Sequence, residues 1–429
     1  MTSVDHLDRP NLVDQQLIQL RELLREIIPG NRFYGQKLAA AGITGDDIRA
    51  PADFLRIPFT TKAELIADQQ AHPPHGQILT YPLSRYVRLC QTSGTTSQPL
   101  RWLDTPESWS WLLSCWETIY RMVGVHSGDR LFFAFSFGPF LGFWTAFDAA
   151  SRLGFLCLPG GGMSSAARLR FLLDNQATVV LCTPTYALRL AEVASQQGID
   201  LKGGSVRLLI VAGEPGGSIP ATRARIESAW GARLFDHNGM TEVGPVGVEC
   251  TENPAGIHIL ETHYLAEVID PTTTHPVPSG TLGELVLTNL GRSGSPVLRY
   301  RTGDLVKVDP EPCSCGSPFV RLRGGILGRT DDMIHIRGNN LYPSALEAII
   351  HRFPEVAEYR VEVDESETLT ALRIELEPTS DSLATGLADR VAETIRKELL
   401  FRAEVKTLAP GSLPRYEMKA HRFHKKTLG

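Results

Sequence analysis

From Asp129 the chain alternates short apolar runs with stretches whose apolar residues recur every three or four positions. The runs lie at 131–135, 155–158, 179–182, 206–211 and 233–235. Between them, 140–153, 164–175, 185–197 and 219–230 have helical spacing, and Gly154 and Gly231 end two of these helices. Short apolar strands alternating with helices predict βαβ units and a parallel sheet covered on its faces. Ligands of such sheets bind beyond the C-terminal strand ends. The loops 136–139, 160–162, 212–215 and 236–239 are therefore the first places to look for a site. The uncharged stretch 131–147 falls short of the ~20 residues of a membrane span. Gly138-Pro139 breaks it, and Asp129, Arg130 and Asp148 bound it, so it reads as a buried strand, a turn and a helix.

The first 80 residues look helical and peripheral, with helical spacing over 17–28. Pro58-Phe59-Thr60-Thr61-Lys62 opens a further helix with Thr60 or Thr61 as its cap. From 258 to 329, β-branched runs at 266–269, 284–288 and 305–308 are separated by Pro/Gly turns, which predicts a β-rich subdomain. After Asp331 come a helix at 343–352, strands at 359–363 and 368–376, a long helix at 383–400 and a strand at 404–407. The expected fold is α/β. A large N-terminal region, 1–330, is built of parallel βαβ layers plus the β-rich subdomain, and a small mobile α+β domain occupies 331–429.

The 429 residues allow two to four domains at ~100–200 residues each. With 42% hydrophobic and 21% charged residues, disorder is excluded as the main description. A net charge of −5 lacks the basic field of a nucleic-acid binder, so an anionic ligand must be met by a local site. Seven cysteines, an odd number, and a polar N-terminus argue against a disulfide framework and for a reducing cytoplasm.

Five segments could carry chemistry. Thr92-Ser93-Gly94-Thr95-Thr96 gathers hydroxyl and backbone donors around a glycine, as a polyphosphate loop or a polar surface turn would. Asp236-His237-Asn238-Gly239-Met240-Thr241-Glu242 ends a predicted strand. Thr241 could bond a phosphate and Glu242 could hold Mg²⁺; the same residues also fit a capped helix start. Asp304, in Tyr300-Arg301-Thr302-Gly303-Asp304, could accept both ribose hydroxyls or close a hairpin turn. Gly328-Arg329-Thr330-Asp331-Asp332-Met333 is a candidate hinge. Lys419 lies in 413–422, which reads either as a terminal loop able to reach another domain or as a solvated basic tail.

In this order, the five segments resemble the adenylate-forming superfamily of acyl- and aryl-CoA ligases, adenylation domains and luciferases over nearly the whole chain. The phenylacetate–CoA ligase branch is the nearer match, through 58–62, Ala212-Gly213-Glu214-Pro215, 328–343 and Leu413-Pro414-Arg415. The resemblance implies that Thr92, Ser93, Gly94, Thr95 and Thr96 wrap the ATP phosphates. Gly213, Glu214 and Pro215, with Asp236 and His237, would line the adenine pocket. Thr241 would touch the α-phosphate, Glu242 would hold Mg²⁺, and Asp304 with Arg329 would bind the ribose. Asp331 would be the hinge and Lys419 the catalytic lysine. Met418 departs from the family's usual glycine before that lysine, and His237 stands where many relatives carry an aromatic residue.

Pro312-Cys313-Ser314-Cys315-Gly316 places two thiols one residue apart, with Cys250 and His258 upstream. Three thiolates and an imidazole make a closed tetrahedral Zn²⁺ set. The resemblance supports that reading, since some relatives carry such cysteines. Buried free cysteines or a zinc-ribbon-like binding module fit the same residues.

The reaction implied is ATP-dependent conversion of an acid to an acyl-adenylate, then transfer to coenzyme A. An aryl or aryl-acetic acid is expected, with Phe137 and Gly138 on one wall of its pocket and His237, Gly239, Met240 and Pro245 on the other. Two alternatives remain. One passes the acyl group to an amine or carrier protein, as in secondary metabolism; the other is a non-catalytic, zinc-stabilised binding protein. Neither nucleic acid nor membrane is an expected partner, and the resemblance leaves a homodimer open.

Overall fold

The structure, a computed structural model, describes residues 8–92, 99–336, 339–364, 371–416 and 420–426. Helix α1 (Arg9–Ile27) starts at Asp8, whose carboxylate accepts the Asn11 N–H. Leu20, Leu23, Leu24 and Ile27 repeat at helical spacing and are all buried. Gln16 donates to the carbonyls of Glu261 and Tyr264 at 2.8 and 2.9 Å. The opening helices therefore belong to the main core and are not a peripheral layer. After α2 (Arg32–Ala40), Thr61 caps α3 (Lys62–Ala71) in a reciprocal box with Glu64. Thr60 is not the cap: it is fully buried and bridges to Tyr300.

Strands β1 (Arg88–Gln91) and β2 (Arg101–Asp104) pair antiparallel. Helix α4 (Pro106–Met122) follows, capped by Thr105. Trp109, Leu112, Leu113, Trp116 and Tyr120 mark its buried face.

The chain then alternates β3 (Arg130–Phe133), α5 (Leu141–Arg152), β4 (Leu156–Pro159), α6 (Ser165–Asp174), β5 (Val179–Cys182), α7 (Pro184–Gln196), β6 (Leu208–Val211), α8 (Pro220–Trp230) and β7 (Arg233–Met240). The strands lie in the order β4-β3-β5-β6-β7, all parallel. Alternate side chains serve two cores. Val179 and Leu181 pack with α4 and α5, whereas Val180 and Cys182 pack with α6, α7 and α8. A strand buried on both faces reads as the continuous apolar run seen in the sequence.

The run that begins at 233–235 continues as strand β7 to Met240, because β8 (Gly244–Val248) folds back and pairs with it antiparallel. A bulge falls between Asn238 and Gly239, and a Cβ on Gly239 would stand 2.8 Å from the Gly244 oxygen. Strand β9 (Gly256–Ile259) extends this antiparallel wing, so the β-rich texture begins before residue 258. A second antiparallel sheet contains β10 (Tyr264–Ile269), β11 (Leu282–Asn289) and β12 (Tyr300–Lys307). Strand β13 (Arg321–Arg323) joins β9, and β14 (Gly328–Arg329) joins β12.

The remaining elements form a smaller unit with its own core. They are β15 (Ile334–Ile336), β16 (Asn339–Leu341), α9 (Pro343–Ile350), β17 (Val356–Asp364), β18 (Ala371–Pro378), α10 (Leu387–Leu399), β19 (Glu404–Thr407) and β20 (Phe423–Lys426). Helix α10 begins later than the predicted 383, because Gly386 at its start has φ +71°, which no α-helix continues through. The basic end of the chain is also more than a solvated tail: β20 pairs parallel with β17, giving the order β19-β18-β17-β20. Among the described residues, no helix is long and apolar enough to cross a membrane.

Candidate active site

Of the predicted residues, Phe137 and Gly138 follow β3, residues 213–215 follow β6, and Asp236 and His237 lie where the parallel pairing of β7 with β6 ends, all at the C-terminal ends of parallel strands. Thr92 follows β1; its N–H donates to the Leu100 carbonyl and its hydroxyl accepts the Leu100 N–H, both at 3.0 Å. These bonds join the residues on either side of 93–98. Ser93, Gly94, Thr95 and Thr96 lie outside the described residues.

On β7, Asp236 accepts the Ser218 hydroxyl at 2.6 Å. Burial, and then the neighbouring Glu249, push its carboxyl up to about 7. His237 places Nδ1 2.8 Å from the Gly247 carbonyl. A carbonyl only accepts, so Nδ1 carries the proton and Nε2 is left as an acceptor. Burial pulls this ring down to about 4, which leaves it neutral at pH 7. Glu242 is buried, with the Tyr300 hydroxyl donating at 3.3 Å and Lys62 Nζ at 3.5 Å. The carbonyls of Thr241 and Glu242 accept from Arg292 Nη1 at 2.8 and 3.3 Å.

Asp304 on β12 stands opposite Arg329 on β14 and accepts from its Nη1 at 2.9 Å. Burial lifts Asp304 to about 6, against the pull of Arg329. The same guanidinium forks onto Asp331 at 2.8 and 3.0 Å. The ribose and hinge residues of the sequence reading are thus one linked group.

Gly213, at φ +93°, turns the chain after β6. Glu214 then accepts the Thr185 N–H at 2.8 Å and the Ala420 N–H at 2.9 Å. Lys419, together with Glu417 and Met418, lies outside the described residues. Nearby, Arg422 pairs with Glu358 at 2.6 Å. A cleft of about 970 Å³ opens between α7, α8 and the small unit, with Thr185, Glu358 and Arg422 in its wall.

Phe137, after β3, packs against Phe135, Phe147 and Trp144 with centroids 5.5, 5.4 and 4.9 Å away. The Trp144 indole donates to the Gly138 carbonyl at 2.9 Å. Opposite Gly239 on the β7–β8 ladder is Pro245, and Met240 pairs with Gly244. Trp116 connects the two walls: its indole donates to Thr145 on α5 at 2.9 Å, and its ring lies 4.5 Å from His237. Trp116, Lys62, Tyr300 and Arg292 were not among the predicted site residues. The helical period of α4 could have pointed to Trp116, and Lys62 closes the quoted 58–62 motif.

Away from these groups, Cys250, His258, Cys313 and Cys315 bring their ligand atoms within 4.8 Å of one another. A tetrahedral ion with Zn–S of about 2.3 Å and Zn–N of about 2.0 Å separates its ligand atoms by roughly 3.8 Å for S···S and 3.5 Å for S···N. Cys250 Sγ and Cys313 Sγ are 3.8 Å apart, and Cys315 Sγ lies 3.5 Å from His258 Nε2. His258 Nδ1 donates to the Phe319 carbonyl at 3.2 Å, which turns the lone pair of Nε2 toward the thiols. Of the other cysteines, 90, 115 and 182 are buried in the core, and Cys157 is half-buried.

The AMP-binding enzyme family model matches residues 61–291, and the AMP-binding enzyme C-terminal domain model matches residues 338–426. A phenylacetate–coenzyme A ligase of Thermus thermophilus is 32% identical, over 96% of both chains. Among solved structures, a 2-hydroxyisobutyryl-CoA ligase in the postadenylation state with R3-HIB-AMP superimposes with a TM-score of 0.92 at 28% identity, covering 98% of this chain and 90% of that one. That ligase in its thioesterification state, with 2-HIB-AMP and CoA, gives 0.73 at 29% identity, over 97% and 90%. The two units are therefore arranged as in the postadenylation state. The chain belongs to the AMP-binding, adenylate-forming enzyme family, in the branch of the phenylacetate–coenzyme A ligases.

Proposed function

We propose that this protein activates an aryl or aryl-acetic acid with ATP and transfers it to coenzyme A. The adenylate-forming CoA-ligase activity follows from family membership; the acid class, the site roles and the metals are our reading. A carboxylate oxygen of the acid attacks the α-phosphorus of ATP, and the bond to pyrophosphate breaks. The coenzyme A sulfur then attacks the acyl carbon, AMP leaves, and the thiol proton passes to solvent.

The observation that carries this reading is the convergence of Lys62, Glu242, Tyr300, Asp304 and Arg329, far apart in sequence, around one buried carboxylate pair. Asp304 and Arg329 hold the ribose. Residues 213–215, with Asp236 and His237, line the adenine pocket, and Thr92 begins the phosphate loop. Thr241 and Lys419 meet the α-phosphate. Glu242 suits Mg²⁺, being a buried hard-oxygen ligand already facing a cation, Lys62. Mg²⁺ bound there would neutralise phosphate charge as pyrophosphate departs. Residues 1–330 and 331–429 act as a large domain and a lid turning near Asp331, so that adenylation and thioester formation use different arrangements.

The aromatic acid rests on the rings around Phe137 and on the neutral, partly acceptor-bearing His237 beside Trp116. The Cys250, His258, Cys313 and Cys315 set fits zinc in donor type, spacing and second hydrogen bond, and bound zinc would tie β8 to the loop before β13.

Pyrophosphate exchange with a panel of aryl, aryl-acetic and small aliphatic acids tests the proposal, followed by product analysis with and without coenzyme A. Aryl acids are expected to drive exchange, and thioester to form with coenzyme A. Exchange confined to aliphatic acids such as 2-hydroxyisobutyrate overturns the acid class. Amide formation independent of coenzyme A overturns the acceptor. No exchange with any acid leaves the binding-protein reading.

A further inference from the structure

We infer that Glu214 is a positioning residue for adenylation: it fixes the residue that follows Lys419 against the large domain. The inference rests on the two-step reading above. The resemblance gives Glu214 only a place beside adenine. The geometry gives its carboxylate a second task, because its two oxygens are used by donors from two different units. Oε1 takes the Thr185 N–H at the start of α7. Oε2 takes the Ala420 N–H of the C-terminal segment.

Thr185 belongs to the first turn of α7, where backbone donors lack helical partners and the helix dipole favours negative charge. A carboxylate docked there is held in place before the small unit arrives. Arg422 adds a flank to the same contact: both of its terminal nitrogens lie 3.4 Å from Thr185 Oγ1, while Glu358 fixes the guanidinium. Ala420 and Arg422 thus meet one small patch of the large domain, where Glu214 and Thr185 are hydrogen-bonded to each other.

This contact belongs to the arrangement seen here. The chain matches the postadenylation state of the 2-hydroxyisobutyryl ligase at a TM-score of 0.92, but its thioesterification state at 0.73. A bond between Glu214 and Ala420 therefore stabilises one arrangement of the two units and is absent from one in which they have turned apart. Its loss should slow the step that uses this arrangement more than the step that leaves it.

Glu214→Gln is the discriminating change. It keeps the size, but puts an NH2 group, which cannot accept an N–H, where one of the two carboxylate oxygens stood, so in this geometry one of the two donors loses its partner. Two measurements on the full-length protein test the inference. The first compares the rate of acyl-adenylate formation with the rate of thioester formation from supplied acyl-adenylate. We expect the ratio of the first to the second to fall about tenfold or more in Glu214→Gln, the scale of one charge-assisted hydrogen bond. Equal loss in both steps, or loss in neither, overturns the inference.

The second measurement is deuterium exchange of the segment from 420 to 424. It needs no turnover, so it still decides if the wild-type protein activates no acid and the ligase reading itself fails. The Ala420 amide is expected to exchange faster in Glu214→Gln than in the wild type. Unchanged exchange there, with the protein folded, overturns the inference.

Discussion

Arg292 grips Asp104 through two hydrogen bonds of 2.7 and 2.6 Å, with both side chains wholly out of solvent. The same guanidinium holds the carbonyls of Thr241 and Glu242, so a pair with no exposure fixes the backbone at the candidate phosphate site. Removing one partner of a buried pair strands the other charge, at a cost of about 3–5 kcal/mol. Arg292→Met is expected to lose that much stability in urea unfolding and to weaken adenylation further by releasing Glu242. A loss below about 1 kcal/mol would contradict this account.

Asp304 yields a pH prediction. Its folded value of about 6 lies above the ~3.9 of an unfolded aspartate. Between these values the folded chain keeps a proton that the unfolded chain has released. Its contribution to stability therefore falls as pH rises through that window, and the penalty is complete above about 6. Asp236 acts in the same direction up to about 7. Ribose hydroxyls need the ionised carboxylate as acceptor, so ATP binding near pH 6 should release a proton and tighten as pH rises. Calorimetry in buffers of different ionisation heat measures the release. An identical proton count in Asp304→Asn would show that another group is responsible.

The cysteine set predicts one zinc per chain in protein purified without chelator. Cys313→Ser should lose most of the metal and lower the melting temperature. The reach of the damage can be traced: Glu249, next to Cys250, accepts the N–H groups of Asp236 and Ala255 at 2.9 and 2.7 Å. Weaker ATP binding should therefore accompany metal loss. Metal-free protein with an unchanged melting temperature in the variant would rule out a structural ion.

Phe137→Ala addresses the acid. Losing the ring should reduce kcat/KM for aryl acids about tenfold, the scale of aromatic contacts plus lost burial. Small aliphatic acids should lose less. Equal losses for both classes would mean that Phe137 supports the loop and does not read the substrate.

The βαβ region was legible because strands such as Val179–Cys182 are buried on both faces and write unbroken apolar runs into the sequence. Helix α4 was there to be read at 109, 112, 113, 116 and 120, but three tryptophans and a cysteine do not announce a helix by propensity. The extension of β7 to Met240 was hidden because its partner strand contains Gly244, Pro245 and Gly247, poor strand formers; the space at Gly244 is taken by Leu112 and Tyr264, and at Gly247 by the His258 carbonyl and Ile257 on β9. Motif residues such as Glu242 and Asp304 stood out by type and order. Their supports, Arg292, Tyr300 and Lys62, did not, because pairing across 50 or more positions leaves no local pattern.

The order β19-β18-β17-β20 has a mechanical consequence. Thr407 and Phe423 are anchored at opposite edges of one sheet, and between them Glu377 on β18 takes the N–H groups of Gly411 and Leu413 and the Arg415 guanidinium. The C-terminal segment is therefore moored to the small unit on both sides of residues 417–419. Ala420 and Arg422 travel with that sheet, so a turn of the small unit carries both away from Glu214 and Thr185 together.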